Sequence, residues 1–381
     1  AAYAIADMLT GTHIASPAME DQVRDLTAGI PEGDHDAGAR AIFRWGNDEV
    51  EEGEGLDTPA SYIFEDRMGM RVRLLYALLV EAGLHPELWA VRSAYADHTV
   101  SDVADMDVYT QLAVRLGDDW LVPGVDGQPY GLLPPSMRGE DAVRILPEIG
   151  RGKTAPASFF DDGISRKLSV VVHPDGTSSA VLTDTFRGMP GAIVRAGLRE
   201  MEASDVEMQM EGSYLAFLFN GATMTGFVLP DLESDSSEVE IEIAFDMPPA
   251  PGPLPGTVSL GPFLKTRLSQ AWTSLPARVF PLLVDEPTNV SVEVDIDTGG
   301  MWDVFQPPVP STHLSTPWGG SFDQSFAKSG ESWTLERKLS MPAGRVSPEE
   351  YPALLDFATR VDESEGAVFI LVPNPMALPG K

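Results

Sequence analysis

Residues Arg67 to Arg92 constrain the fold of this chain more than any other stretch. Leu74, Leu75, Leu78 and Leu79 recur at spacings of one, three and four, so the run from Met68 to Ala82 reads as a helix with a strongly apolar face. Gly83 ends it, because glycine reaches the left-handed conformation without a side-chain penalty. Pro86 follows, and Glu87–Val91 then reads as a strand. A helix this apolar needs a core around it. It is not a membrane span, which takes about 20 apolar residues; Val72 to Ala82 is short and broken by Arg73 and Glu81.

The chain has 381 residues, enough for two or three domains that each bury a core. A formal charge of −32 excludes nucleic acid as a partner, since phosphates require a basic surface, and it disfavours anionic membranes. The acids are spread over several regions, such as 48–57 and 231–246, as expected of a solvated, highly soluble surface. A calcium-rich or cationic partner is the sharper alternative. There is no cysteine, which removes disulfides, thiolate metal ligands and thiol nucleophiles together. The chain opens at Ala1 without a methionine, so a processed protein or a piece of a larger one is expected.

Along the chain, helices come first and strands follow. Ala2–Leu9 reads as a short helix, and Ser16-Pro17 starts another with a capping serine and a first-turn proline. A helix from Ala37 and a short one after Thr58-Pro59 precede the run at Met68. Strands are expected at Glu87–Val91, Val108–Leu116 and Asp119–Val122, with a turn at Gly117-Asp118. Leu132–Ile145 is expected to wind through a proline pair and a short helix. Beyond residue 155, Pro174-Asp175-Gly176 marks a hairpin, and Gly191–Glu200 and Asp205–Phe217 read as helical. The five prolines in 248–255 read as a stiff linker. Further strands, a helix after Ser347-Pro348 and a last strand at Ala367–Val372 complete the chain.

Several motifs, in order, resemble the transglutaminase-like domain of large bacterial multidomain proteins, a papain-like fold. They are Ala41-Ile42-Phe43-Arg44-Trp45, Thr58-Pro59-Ala60, the helix Leu74 to Leu84, Trp120-Leu121-Val122-Pro123 and Tyr130-Gly131-Leu132-Leu133-Pro134. Met137 to Ala142 and the later Arg345-Val346-Ser347-Pro348-Glu349-Glu350-Tyr351 also fit, so the resemblance spans most of the chain. It implies an α+β fold: a cysteine-protease-like domain over 1–150, an α+β or β-rich domain over 151–250, and a β-sandwich-like region over 251–381. It also implies a place outside the cytoplasm of a bacterium, at the periplasm or cell surface.

The family's chemistry, carried over by resemblance, uses a cysteine thiolate at a helix N-terminus, where the dipole lowers its pKa. A histidine on a following strand is the base, and an aspartate on the next orients it. The matching positions here are Met68, then Thr110 or Gln111, then Val122. A thioether cannot ionise, threonine and glutamine do not titrate usefully, and valine is apolar. The resemblance therefore implies a degenerate domain, a pseudoenzyme.

Other candidate sites compete with ordinary structural roles. Ser61, Ser93 and Ser101 with His98 and Asp97 are the material for a serine relay, although Asp97-His98-Thr99 reads as a solvated loop. The histidines lack zinc spacing. Asp295 and Asp297 begin like a calcium loop, but Gln306 stands where the bidentate glutamate belongs. No cofactor is therefore expected, with calcium as the only alternative. In the family's layout Trp89, Tyr109, Trp120 and Tyr130 cluster at the old cleft, with His98 nearby, as core or as a groove for a ligand. The expectation is a non-catalytic binding or scaffold protein for a peptide, protein or glycan. The alternative is a hydrolase or acyltransferase using a non-cysteine constellation in the same cleft.

Overall fold

A computed structural model describes residues 13–55, 57–96, 108–124, 128–234, 236–263, 266–306 and 311–375. The expected helix at Ala2–Leu9 lies outside them. The chain forms two compact units. The first runs to Asp161 and takes in Gly191–Ala196 and Glu233–Ser237, and the second holds the remainder.

Among the described residues of the first unit, four helices precede the five-stranded sheet. Ser16 accepts a hydrogen bond from the Met19 amide (3.4 Å) at the start of α1, Pro17–Thr27. Asp34 does the same for Ala37 (3.1 Å) at the start of α2, His35–Asp48. These caps satisfy amides that a helix start leaves without partners. The short strand β1, Glu51–Glu52, comes next, then α3, Ala60–Asp66, and β2, Met68–Gly69. The central helix α4 is Arg71–Glu81, and its residues from Arg71 to Leu79 are all buried. It stops as expected at Gly83 (φ 73°), where Leu84 N–H reaches Leu79 O (3.0 Å) and Gly83 N–H reaches Val80 O (3.0 Å).

The helix starts at Arg71, three residues later than its apolar periodicity predicts. The reason is tertiary. β1 and β2 pair in parallel, with Glu51 N–H donating to Arg67 O (2.8 Å) and Gly53 N–H to Gly69 O (3.0 Å), which holds Met68 and Gly69 extended. Gly69 sits at φ 142°, and a Cβ there would lie 2.7 Å from Ile63, so only glycine fits this entry.

The strands β3 Glu87–Val91, β4 Gln111–Leu116, β5 Asp119–Leu121, β6 Asp141–Leu146 and β7 Gly150–Lys153 form an antiparallel sheet in the order β5-β4-β3-β6-β7. Leu88, Ala90, Leu112, Val114, Leu121 and Ile145 pack with the helices. Trp89, Val91, Ala113, Trp120 and Ala142 alternate onto the opposite face and are covered by Leu133 and Met137, with Phe160 against them. Between 132 and 145 the expected short helix is a single 3₁₀ turn at Pro135–Met137, and the rest becomes β6.

The second unit is built on an eight-stranded sheet. Its strands are β8 Gly163–Val172, β9 Ser178–Arg187, β10 Thr223–Val228, β11 Glu238–Met247, β15 Thr288–Asp297, β17 Thr312–Ser315, β18 Ser321–Ser329 and β19 Ser332–Met341, in the order β10-β11-β9-β8-β15-β19-β18-β17. A four-stranded sheet pairs β12 Ala250–Pro251, β13 Val258–Leu260, β21 Phe369–Pro373 and β16 Trp302–Gln306, and β14 Leu282–Val284 pairs with β20 Gly344–Val346. The helix α5 is Met189–Arg199. Ala203–Gln209 (α6) continues through a π-helical turn at Met210–Leu215 into Ala216–Leu218 (α7). Leu268–Trp272 is α8 and Tyr351–Glu365 is α9.

This topology corrects the expected boundary near residue 250. β15 lies parallel to β8, from Val290 opposite Ile164 to Asp297 opposite Val171, so 151–250 and 251–381 share one sheet. Both strands turn an apolar row inward, Leu168 and Val170 beside Val292, Val294 and Ile296, and pairing their edges merges the two cores. The small sheet and α9 lie against that inner face. Phe326 meets Phe369 at 5.0 Å, and Arg337 Nη2 donates to Ser364 O at 3.1 Å. The β-sandwich-like expectation for 251–381 alone becomes a mixed unit, mostly sheet with few helices, that starts at Asp162.

Candidate functional site

The start of α4 is where the resemblance locates chemistry, and its surroundings can be built residue by residue. Met70 is the N-cap, in extended conformation (φ −66°, ψ 98°), and its side chain makes no capping hydrogen bond. The first free amide, Arg71 N–H, donates instead to the Glu52 carboxylate (3.2 Å) carried by β1. A carboxylate at a helix N-terminus is favourable to the dipole. Burial still pushes the Glu52 carboxyl above its usual range, with the Arg71 amide and guanidinium pulling the other way.

Arg71 is buried, and a buried guanidinium must find acceptors. Its Nε donates to Val50 O and its Nη1 to Gly124 O (2.5 Å). The Gly124 amide in turn donates to Asn47 Oδ1 (3.0 Å). The helix start is thereby tied to the segment just past β5. Arg73, also buried, donates to Thr58 O.

Among the described residues the sequence-identified positions form no relay. Met68 is 55% exposed on β2, its side chain beside Gly53, so it is not a packing position of the helix. Thr110 is exposed just ahead of β4. Gln111 opens β4 and its Nε2 donates to Ser136 Oγ (3.0 Å). Val122 is half-buried, touching both apolar clusters, and its carbonyl accepts from Gln128 Nε2 (3.0 Å). His98, Asp97 and Ser101 lie outside the described residues.

The four aromatic candidates do not share a groove. Trp89 and Trp120 are 4% and 5% exposed and lie 5.5 Å apart on the sheet face away from the helices. Tyr109 and Tyr130 pack with the helix-side cluster. Alternation along β3 and β5 turns the two tryptophans away from the helices, whereas Tyr109 and Tyr130 stand outside the strands. Trp89 Nε1–H donates to Glu87 (3.1 Å), which also pairs with Arg144, so this indole is satisfied inside the core.

Tyr130 packs edge-on against Phe43 (5.6 Å) with the Arg40 guanidinium 4.4 Å from its ring. Burial, followed by the charges of Asp119 and Asp36, pushes its hydroxyl well above the usual phenol range. The Asp119 carboxyl is raised by burial first and by Asp36 and Asp118 after it, while Arg40 opposes. Arg40 is held by Asp36 (2.8 Å). This is a polar corner with no nucleophile.

Asp295 and Asp297, the weak calcium candidates, are engaged locally. Asp295 accepts from the Thr334 hydroxyl (2.8 Å) and Asp297 from the Gly299 amide (2.8 Å) in a turn with Gly299 and Gly300 at positive φ. Among the described residues no group of three or more His, Asp or Glu is placed to hold a metal ion. No described helix is long and apolar enough to cross a membrane.

Sequence reasoning missed Glu52 and Arg71. The available signal was the arginine itself, since a basic residue inside a buried helix has to find carbonyls or a carboxylate. Among the described residues, three carboxyls sit above their usual range chiefly through burial: Glu52, Asp119 and Glu365. The folded chain therefore holds these protons more tightly than the unfolded chain, whose values are near 3.8 for aspartate and 4.5 for glutamate. Their contribution is absent well above the folded pKa values, grows as pH falls through them, and is complete below the unfolded ones. Relief of self-repulsion at a net charge of −32 has the same sign. The melting temperature should rise between pH 7.5 and about pH 5, as read by calorimetry at fixed salt; a fall over that range contradicts the assignment.

Residues 257–371 match a family described as a domain of unknown function with solved structure, DUF3858. No curated protein matches the sequence at a significant level. Among solved structures, the chain is similar to one titled a "putative protease" from Parabacteroides distasonis ATCC 8503, at 13% identity and a TM-score of 0.55. The likeness covers 97% of this chain and 58% of that one, so it is a likeness of fold to part of a longer protein.

Proposed function

We propose that this chain is a non-catalytic binding module on a transglutaminase-like scaffold, holding a peptide, a protein or a glycan. The start of α4 carries the reading. The resemblance implies a thiolate at Met68, which lies on β2 ahead of the N-cap Met70, and the first free amide of the helix is taken by Glu52. A carboxylate there raises the pKa of an acid beside it, the reverse of what a thiol nucleophile needs. The scaffold part is supported by the antiparallel sheet, by α4 packing on β4, and by the tie from Arg71 to the segment past β5. The second reading, a hydrolase or acyltransferase with another constellation, draws on the description of the Parabacteroides neighbour as a protease.

One experiment separates the two. The intact chain is incubated on peptide and glycan arrays with a primary amine present, and the arrayed peptides are then weighed by mass spectrometry. A binding module retains a subset at unchanged mass. Cleaved peptides, or peptides that gain the amine, replace it with the second reading. Neither retention nor turnover removes both.

A further inference from the structure

The solvent side of the eight-stranded sheet carries a hollow of about 490 Å³ across β17, β18 and β19. Its size falls within the roughly 300–1,000 Å³ of small-ligand sites. His313, Asp323, Ser325, Glu336 and Lys338 line it, with Ser311 and Thr312 and the buried Gln324 and Arg337, whose guanidinium is bonded to Gln324 Oε1 and Ser364 O. Strand register puts the first five on one face. His313 is opposite Asp323, Asp323 is opposite Lys338, and Ser325 is opposite Glu336. Their strand neighbours Leu314, Phe322, Leu335 and Leu339 are buried on the other side.

The lining chemistry narrows the ligand. Among the described residues no aromatic or aliphatic side chain lines the hollow, so they offer nothing to stack on a sugar ring or to cover an acyl chain. His313 Nδ1 lies 2.6 Å from Asp323 Oδ1, which leaves Nε2 outside that contact. Glu336 stands opposite Glu293 of β15, and Lys167 of β8 reaches Glu293 only from its far side. Like charges directly across strands are unfavourable, so a cation at Glu336 is welcome. The net charge of −32 draws cations toward the whole molecule and repels anions. Lys338 supplies a donor beside the carboxylates, matched to a carbonyl.

We infer that this hollow binds a peptide segment bearing lysine or arginine. Its cationic side chain meets Glu336 and Asp323, one of its backbone carbonyls accepts from Lys338, and a backbone N–H donates to His313 Nε2. Charge-assisted hydrogen bonds of this kind are the strong ones. The inference rests on the binding reading above and gives it a place and a ligand class.

The test is fluorescence anisotropy with a labelled peptide of alternating lysine and serine, in about 0.15 M salt, where the Debye length is about 8 Å. A glutamate–serine peptide and a neutral oligosaccharide form the other arms. The expected result is binding of the basic peptide alone. The Asp323→Asn, Glu336→Gln variant should raise its Kd about tenfold or more. The Glu240→Gln, Glu242→Gln variant removes the same charge from β11 on that sheet and should change Kd less than about twofold. All four side chains are exposed, so both variants keep the core intact. Equal losses in the two variants would show a diffuse field in place of a site. No loss in the first variant, or equal binding of the other two ligands, would overturn the inference. If the basic peptide fails while another array member is retained without turnover, the hollow is wrong and the binding reading stands.

Discussion

Replacing Asp184 by alanine should remove about 3–5 kcal/mol of unfolding free energy, the cost of stripping one partner from a buried ion pair. Asp184 is fully buried on β9, directly opposite Arg166 of β8. Arg166 grips it with two hydrogen bonds, Nε to Oδ1 at 2.8 Å and Nη2 to Oδ2 at 2.5 Å. The Tyr214 hydroxyl, from the π-helical turn, donates to the same carboxylate, and Arg166 Nη1 reaches Phe263 O at 3.3 Å. The aspartate thus neutralises a guanidinium that has no route to water. Without it the charge stays buried and the tyrosine loses its acceptor. The Arg166→Met, Asp184→Leu double variant removes both charges and should recover most of the loss, since apolar replacement of a buried pair is often near neutral. Urea unfolding followed by circular dichroism measures both. A single variant milder than about 1 kcal/mol, or a double variant worse than the single, contradicts the account.

Trp120→Ala should cost a comparable amount, about 3–5 kcal/mol, as a large-to-small change in a packed core. The indole is 5% exposed, lies 5.5 Å from Trp89, and belongs to the cluster that closes the outer face of the five-stranded sheet. Trp89→Ala should behave alike and also leave Glu87 without its indole donor. A tryptophan lining an open groove would cost little in stability and much in binding. Equilibrium unfolding of the two variants decides between these roles. Near-wild-type stability, within about 0.5 kcal/mol, would return them to a surface.

The same residues show how far the sequence could be read. Gly83 and β3 at Glu87–Val91 were legible because local chemistry decides them: a glycine at positive φ and an apolar run after a proline. The hairpin at Pro174-Asp175-Gly176 was legible for the same reason. The start of α4 was not, because a pairing to Glu51–Glu52 overrides the helical preference of Met68. The side on which Trp89 and Trp120 lie was equally hidden, since apolar residues cover both faces of β3 and burial on two sides erases the alternation that would tell them apart. Nor does periodicity reveal Glu52 as the partner of the Arg71 amide, because the two meet across 19 positions.

By itself, the sequence determined that no thiol chemistry is open to this chain, that α4 must be enclosed, and that its acidic surface favours cations over phosphates. Those are matters of residue type and local spacing. Only the tertiary structure decided that β8 and β15 join residues on both sides of the proline-rich stretch into one sheet, and that His313, Asp323, Glu336 and Lys338 share a face. Strand edges carry no address in their own residues. Which edges meet is set by burying two apolar rows together, and that contest is settled across the whole chain.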